Sequence, residues 1–211
     1  MFFIGVYRDQ KKAKECIAAL RSFYDDDPIL SIADGTKDID YSSFCLDTDV
    51  RYYEGARLKL QKFGGLWTER YLEEFIDSGE RFVVKLDPDT EVLRKVEKFP
   101  DAEVFCQFKR THAGTSLAGA AIGWSRAAAE KVLQSKLLRD GEYTKNIYAY
   151  HRFTPPMLKP GEELEHNPIA LQDEILTDVC KRLALRVKQW PDVSLENKSS
   201  AFYHEFIPWQ T

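Results

Sequence analysis

The chain has 211 residues, 44% hydrophobic and 30% charged, the make-up of a globular protein with room for one sizeable core. With 30 Lys and Arg against 34 Asp and Glu, the formal net charge is −4, so no basic excess exists to track a nucleic-acid backbone or an anionic membrane. No run approaches the ~20 apolar residues of a spanning helix, and the apolar start stops at Arg8, too short for a signal-peptide core; the chain is expected to be cytoplasmic, with any membrane contact peripheral.

Along the chain, Phe2 to Val6 predicts a short buried strand. Gln10 to Tyr24 carries Ala13, Cys16, Ile17, Leu20 and Phe23 at the spacing of one helix face. Ile29 to Ala33 and Ser43 to Leu46 predict two more strands. Tyr52 to Phe63 suits a helix that Gly64-Gly65 would stop, and Trp67 to Ile76 a second, ended by Ser78-Gly79. Arg81 to Leu86 is a clear strand with Asp87-Pro88-Asp89 directly behind it, and Thr90 to Phe99 looks helical. Glu103 to Phe108 and Gly119 to Trp124 predict strands. Ser125 is a good N-cap for an Ala-rich helix to about Leu138. Arg139 to Pro168, with Pro155, Pro156, Pro160 and Gly161, breaks the pattern and is a candidate mobile loop or lid. Ile169 to Leu183 predicts a helix and Leu185 to Lys188 a short strand; Asp192 to Thr211 is a tail, polar and then aromatic.

This alternation predicts an α/β domain with a mostly parallel sheet and helices on both faces. In such sheets ligands bind beyond the carboxyl ends of the strands. Cys16, Cys45, Cys106 and Cys180 stand singly in apolar patterns, without CxxC spacing, and predict reduced, buried thiols. No GxxxxGK[ST] occurs, which disfavours a P-loop NTPase. The first strand runs into Tyr7-Arg8-Asp9, with no GxGxxG for a dinucleotide and no glycine-rich loop of the kind a sugar nucleotidylyltransferase would carry.

Asp-x-Asp occurs at Asp25/Asp27, Asp38/Asp40, Asp47/Asp49 and Asp87/Asp89. The first two lie in polar stretches. Asp47-Thr48-Asp49 follows a strand-like run and competes with Asp87-Pro88-Asp89, which follows the better buried run. Pro88 cannot continue a central ladder, so it pushes the pair out of the sheet. Carboxylates at i and i+2 on a rigid strand end suit Mg²⁺ or Mn²⁺, because phosphate and water complete the shell. The competing role for Asp89 is a cap on the helix expected after it.

The order of these features resembles the GT-A nucleotide-sugar glycosyltransferases over nearly the whole chain, as a single domain 1–211. The resemblance implies a nucleotide-binding half (1–90) and an acceptor half (91–211) that holds the loop 139–168. It implies that Asp34, in Ile32-Ala33-Asp34-Gly35, recognises the base, although an Asp-Gly turn reads the same way. Arg8, behind the first strand, joins Asp34, Asp87 and Asp89 as a donor-binding candidate. Asp87 and Asp89 look like the metal-binding DxD, with Asp89 the more direct ligand. The segment Gly119-Ala120-Ala121-Ile122-Gly123-Trp124 resembles the strand lining the acceptor side. Gly119 would let a sugar approach the backbone, and Trp124 would stack on a pyranose face, unless it is simply core. Gln172-Asp173-Glu174 resembles the acidic motif that carries the catalytic base; Asp173 is the first choice and Glu174 the second. His204 would be a late metal ligand, with His151 and His166 as rivals.

The implied activity is a hexosyltransferase-like transfer from a UDP- or GDP-type donor to a hydroxyl of a glycan or other acceptor, in glycan or polysaccharide synthesis. A single displacement with inversion is expected, with retention the open alternative because the sequence does not fix the base's position relative to the sugar. The alternatives are a sugar-phosphate nucleotidyltransferase and a non-catalytic sugar- or partner-binding domain on the same fold.

Overall fold

The computed structural model describes residues 1–6, 10–33, 50–54, 60–111, 114–140, 168–194 and 198–204. Arg8, Asp34, the competing pair Asp47/Asp49, the strand expected at Ser43 to Leu46, Cys45, and most of the expected loop (141–167, with His151 and His166) lie outside the described residues. The described elements are β1 (Phe2–Val6), α1 (Gln10–Phe23), β2 (Ile29–Ala33), β3 (Val50–Glu54), α2 (Leu60–Ser78), β4 (Phe82–Leu86), β5 (Glu91–Val92), β6 (Val104–Thr111), β7 (Gly114–Ser125), α3 (Arg126–Ser135), α4 (Pro168–Arg182), β8 (Val187–Gln189), β9 (Val193–Ser194) and β10 (Phe202–Tyr203).

Seven of these strands pair in the order β3-β2-β1-β4-β7-β6-β8. The pairs β1–β2, β2–β3, β1–β4 and β6–β8 are parallel. Strand β7 runs antiparallel to both its neighbours, β4 and β6. The architecture is therefore α/β around a mixed sheet. The chain steps outward from β1 to β2 and β3, then returns to the other side of β1 as β4. That reversal creates a switch point between β1 and β4, where such sheets open a crevice at their carboxyl ends.

Period-2 alternation sorts the strand side chains between two cores. Phe3 of β1, Val83 of β4, Val104 and Cys106 of β6, and Ile122 and Trp124 of β7 face α2, α3 and α4. Phe2, Ile4 and Val6, with Val84, Leu86, Phe105 and Ala121, face α1. Helix α1 covers only part of that second face. A small sheet, β5-β10-β9, completes it, packing Val92, Val193 and Phe202 beside Trp190. Trp190 stands edge-on to Phe105 with centroids 4.9 Å apart and lies 5.3 Å from Phe202. The expected tail thus supplies a core aromatic, Phe202, whose full burial is worth about 1.5–3 kcal/mol.

Several expectations are corrected. Val50–Glu54 is a strand, so Tyr52 to Glu54 does not open a helix; it pairs with β2 residue for residue from Ile29↔Val50 to Ala33↔Glu54. The Val-Arg-Tyr-Tyr run carries the β-branched and aromatic residues that fit a pleated surface. Helix α2 runs through Gly64-Gly65 instead of stopping there. Gly65 answers a packing need: a Cβ on it would lie 2.5 Å from the Leu138 carbonyl oxygen. Thr90 to Phe99 is not helical, because Glu91–Val92 pairs with Phe202–Tyr203 and the Leu93 amide donates to Ala201 O at 2.8 Å. The helix-cap role for Asp89 falls with that helix. Strand β7 begins at Gly114 rather than Gly119, forming a long hairpin with β6 that carries an irregularity between Cys106 and Phe108. The Ser125 cap forms as expected, its Oγ accepting from the Ala128 amide at 3.2 Å, but α3 ends at Ser135, followed by Lys136 at φ 58°.

Cys16, Cys106 and Cys180 are free and buried. Burial pushes the Cys16 and Cys180 thiols up to about 12 and Cys106 further, which leaves them unreactive. Among the described residues no helix is long and apolar enough to cross a membrane.

Candidate functional site

Strand β4 ends where the ladder to β7 gives out. The Asp87 amide makes a last bond to Ala120 O at 2.8 Å, and the Thr90 amide then donates back to Asp87 O at 3.0 Å. That second bond closes a four-residue turn with Pro88 at its second position, the place where proline's fixed φ is most at home. The turn leaves Asp87 half-buried and Asp89 exposed at the carboxyl end of β4, beside β1, at the switch point.

His204 reaches the same place from the far end of the chain. Strand β5 follows the turn directly, and β10 pairs with it antiparallel, Tyr203 opposite Glu91. Extending that register by one residue sets position 204 opposite 90, next to Asp89. The His204 amide is also tied to Ser194 O at 3.1 Å. His204 Nδ1 consequently lies 3.2 Å from Asp89 Oδ1. One ligand atom from each of Asp87, Asp89 and His204 falls within 4.8 Å of the others. Burial would lower the His204 pKa, but the close approach of Asp89 and the charges of Asp87 and Asp89 outweigh it and hold it above its usual value. Burial likewise pushes Asp89 up, yet His204 and Lys12 prevail and hold it below the usual carboxylate value. Two carboxylates and an imidazole so placed could hold a metal ion.

Asp173 approaches from α4. The Thr177 hydroxyl donates to Asp173 O at 2.6 Å and accepts the Leu117 amide at 2.9 Å, pinning one turn of α4 against β7. This brings the Asp173 carboxylate onto Gly119, where any Cβ would collide with Oδ1. Gly119 therefore makes room for Asp173. Asp173 is 3% exposed, and its Oδ2 pairs with Lys109 Nζ. Burial raises the Asp173 pKa despite the opposing charges of Lys109 and Lys85. Glu174 is also buried but sits about 100° further round the helix. Trp124 is fully buried under α2 and α3, so it cannot stack on an acceptor.

Three lysines complete the site, and none was expected from the sequence. Lys85 is 5% exposed; its Nζ bonds Asp87 Oδ1 and donates to Gly119 O at 2.6 Å. Lys109 holds Asp173, and Lys12, from the first turn of α1, lies 3.8 Å from Asp89 Oδ2. Lys85 did leave a signal: it is a charge inside an otherwise apolar strand, and lysine is almost never buried unpaired. The chain matches no family model and no curated protein.

Proposed function

We propose that this protein is a divalent-metal-dependent glycosyltransferase of the GT-A kind, which moves a hexose from a nucleoside-diphosphate donor to a hydroxyl acceptor with inversion. The observation that carries the reading is the meeting of His204 with the Asp87/Asp89 pair at the β1/β4 switch point, since His204 is remote from that pair in sequence and the three together could hold a metal ion. A bound Mn²⁺ or Mg²⁺ would supply charge stabilisation for the departing diphosphate. Asp87, Asp89 and His204 are the residues that would hold it. Asp173 is the favoured base, because its carboxylate lies against Gly119, whose carbonyl oxygen accepts from Lys85, the partner of Asp87. It would take the proton from the acceptor oxygen, and a pKa above the ordinary carboxylate value strengthens it for that task.

The test is hydrolysis or transfer from UDP- and GDP-hexoses with and without Mn²⁺. Turnover is expected only with the metal, and Asp89→Asn should abolish it. Release of pyrophosphate from a nucleoside triphosphate and a sugar phosphate would instead identify a nucleotidyltransferase. Sugar binding that survives Asp89→Asn, with no turnover in the parent protein, would mark a non-catalytic domain.

A further inference from the structure

We infer that Lys85 is a resident counter-cation that competes with the divalent ion for Asp87, so that the empty protein holds the metal weakly. The inference rests on the reading of Asp87, Asp89 and His204 as metal ligands and adds a control on that same site. Lys85 Nζ already occupies one oxygen of Asp87, and its second bond, to Gly119 O, is 2.6 Å long. The first bond ties it to the carboxylate; the second ties it to β7, the strand alongside.

What distinguishes Lys85 from an ordinary surface partner is that it has nowhere to go. It is 5% exposed, on the β4 face that carries Val83 and packs against the helices, so an incoming cation cannot send the ammonium out into water. Lys12 offers the contrast. It lies 3.8 Å from Asp89 Oδ2 and its side chain is 52% exposed, so it can swing aside at little cost. A metal ion at Asp87 would therefore share a carboxylate with a positive charge fixed in a poorly solvated place, where like charges repel far more strongly than in bulk water. An anionic ligand that arrives with the ion would offset that repulsion; the ion alone cannot.

The experiment measures Mn²⁺ affinity by calorimetry or electron paramagnetic resonance on the whole chain, without nucleotide. Lys85→Met and Lys85→Gln should each bind Mn²⁺ at least about tenfold more tightly than the parent protein, as removal of a close like charge requires. Lys12→Met should change the affinity by less than about threefold. Gain of affinity is a direction that mere structural damage would not produce, and melting curves establish that both Lys85 variants are folded. Parent protein that binds Mn²⁺, with both folded Lys85 variants binding equally or more weakly, overturns the inference and leaves the metal site standing. Binding unaffected by Asp89→Asn, or no binding by any of these proteins, removes the metal site itself and the inference with it.

Discussion

Gly119→Ala tests the geometry of the site without assuming any reaction. A Cβ at position 119 would overlap Asp173 Oδ1, and the carboxylate has little room to retreat: it is buried, its other oxygen is held by Lys109, and its helix is pinned to β7 through Thr177. Forcing one extra carbon into such a place costs about 1–3 kcal/mol. In a domain of this size each kcal/mol lowers the melting temperature by about 2–4 °C, so a fall of roughly 2–12 °C is expected. The decisive measurement is a double-mutant cycle with Asp173→Ala, which removes the carboxylate that the new methyl would strike. In that background Gly119→Ala should lose most of its cost, with a coupling energy of about 1–3 kcal/mol. The assay is thermal or urea unfolding of the four proteins. Strict additivity would refute the contact, and with it the argument that Gly119 exists to admit Asp173.

Asp173 makes a pH prediction of definite sign. Burial raises its folded-state pKa above the ordinary value of about 3.9, so its contribution to stability is present at low pH and lost as pH rises through the folded-state pKa. The melting temperature of Asp173→Asn relative to the parent should therefore climb with pH across that window, and a difference that is flat in pH would contradict the burial argument. If Asp173 is the base, the acid limb of the pH–rate profile should also lie above the ordinary aspartate range and disappear in Asp173→Asn. A separate prediction concerns the second core: Tyr24→Phe removes the hydroxyl that accepts the buried Val96 amide at 2.7 Å, which should cost about 1–3 kcal/mol in unfolding experiments.

The legible parts of the fold were those written in local pattern. Helix α1 has its apolar stripe, α3 has Ser125 as a cap, and β1, β2 and β4 are short apolar runs bounded by polar residues. The parts that depart from local pattern are decided by partners far away in sequence. Gly65 looks like a helix stop until Leu138 is seen lying against it. Thr90 to Phe99 has helical spacing, but Phe202 and Tyr203 offer it a strand to pair with. The same holds for the site. Asp87 and Asp89 were visible because a proline turn behind a buried strand is a local signature. Lys85 is hard to read locally, because the apolar pattern that marks the strand makes its single charge look incidental. Trp124 has two readings in the sequence, core or acceptor platform, because an aromatic beside small residues reads alike in both; its burial selects the core.

Clustering Asp87, Asp89 and Asp173 raises the question of how the chain folds around three mutually repelling carboxylates. The described residues contain an answer, since each acid has its own lysine: Lys85 for Asp87, Lys12 for Asp89 and Lys109 for Asp173. The three lysines differ in freedom, though. Lys12 is mostly in water, Lys109 is 22% exposed at its side chain, and Lys85 is enclosed. Compensation is thus loosest at Asp89, the acid that also faces His204, and tightest at Asp87. A site arranged this way can exist without metal, because the lysines already neutralise it. Under the proposed function, cation uptake would be concentrated on the Asp89–His204 side, where the resident charges are the easiest to displace.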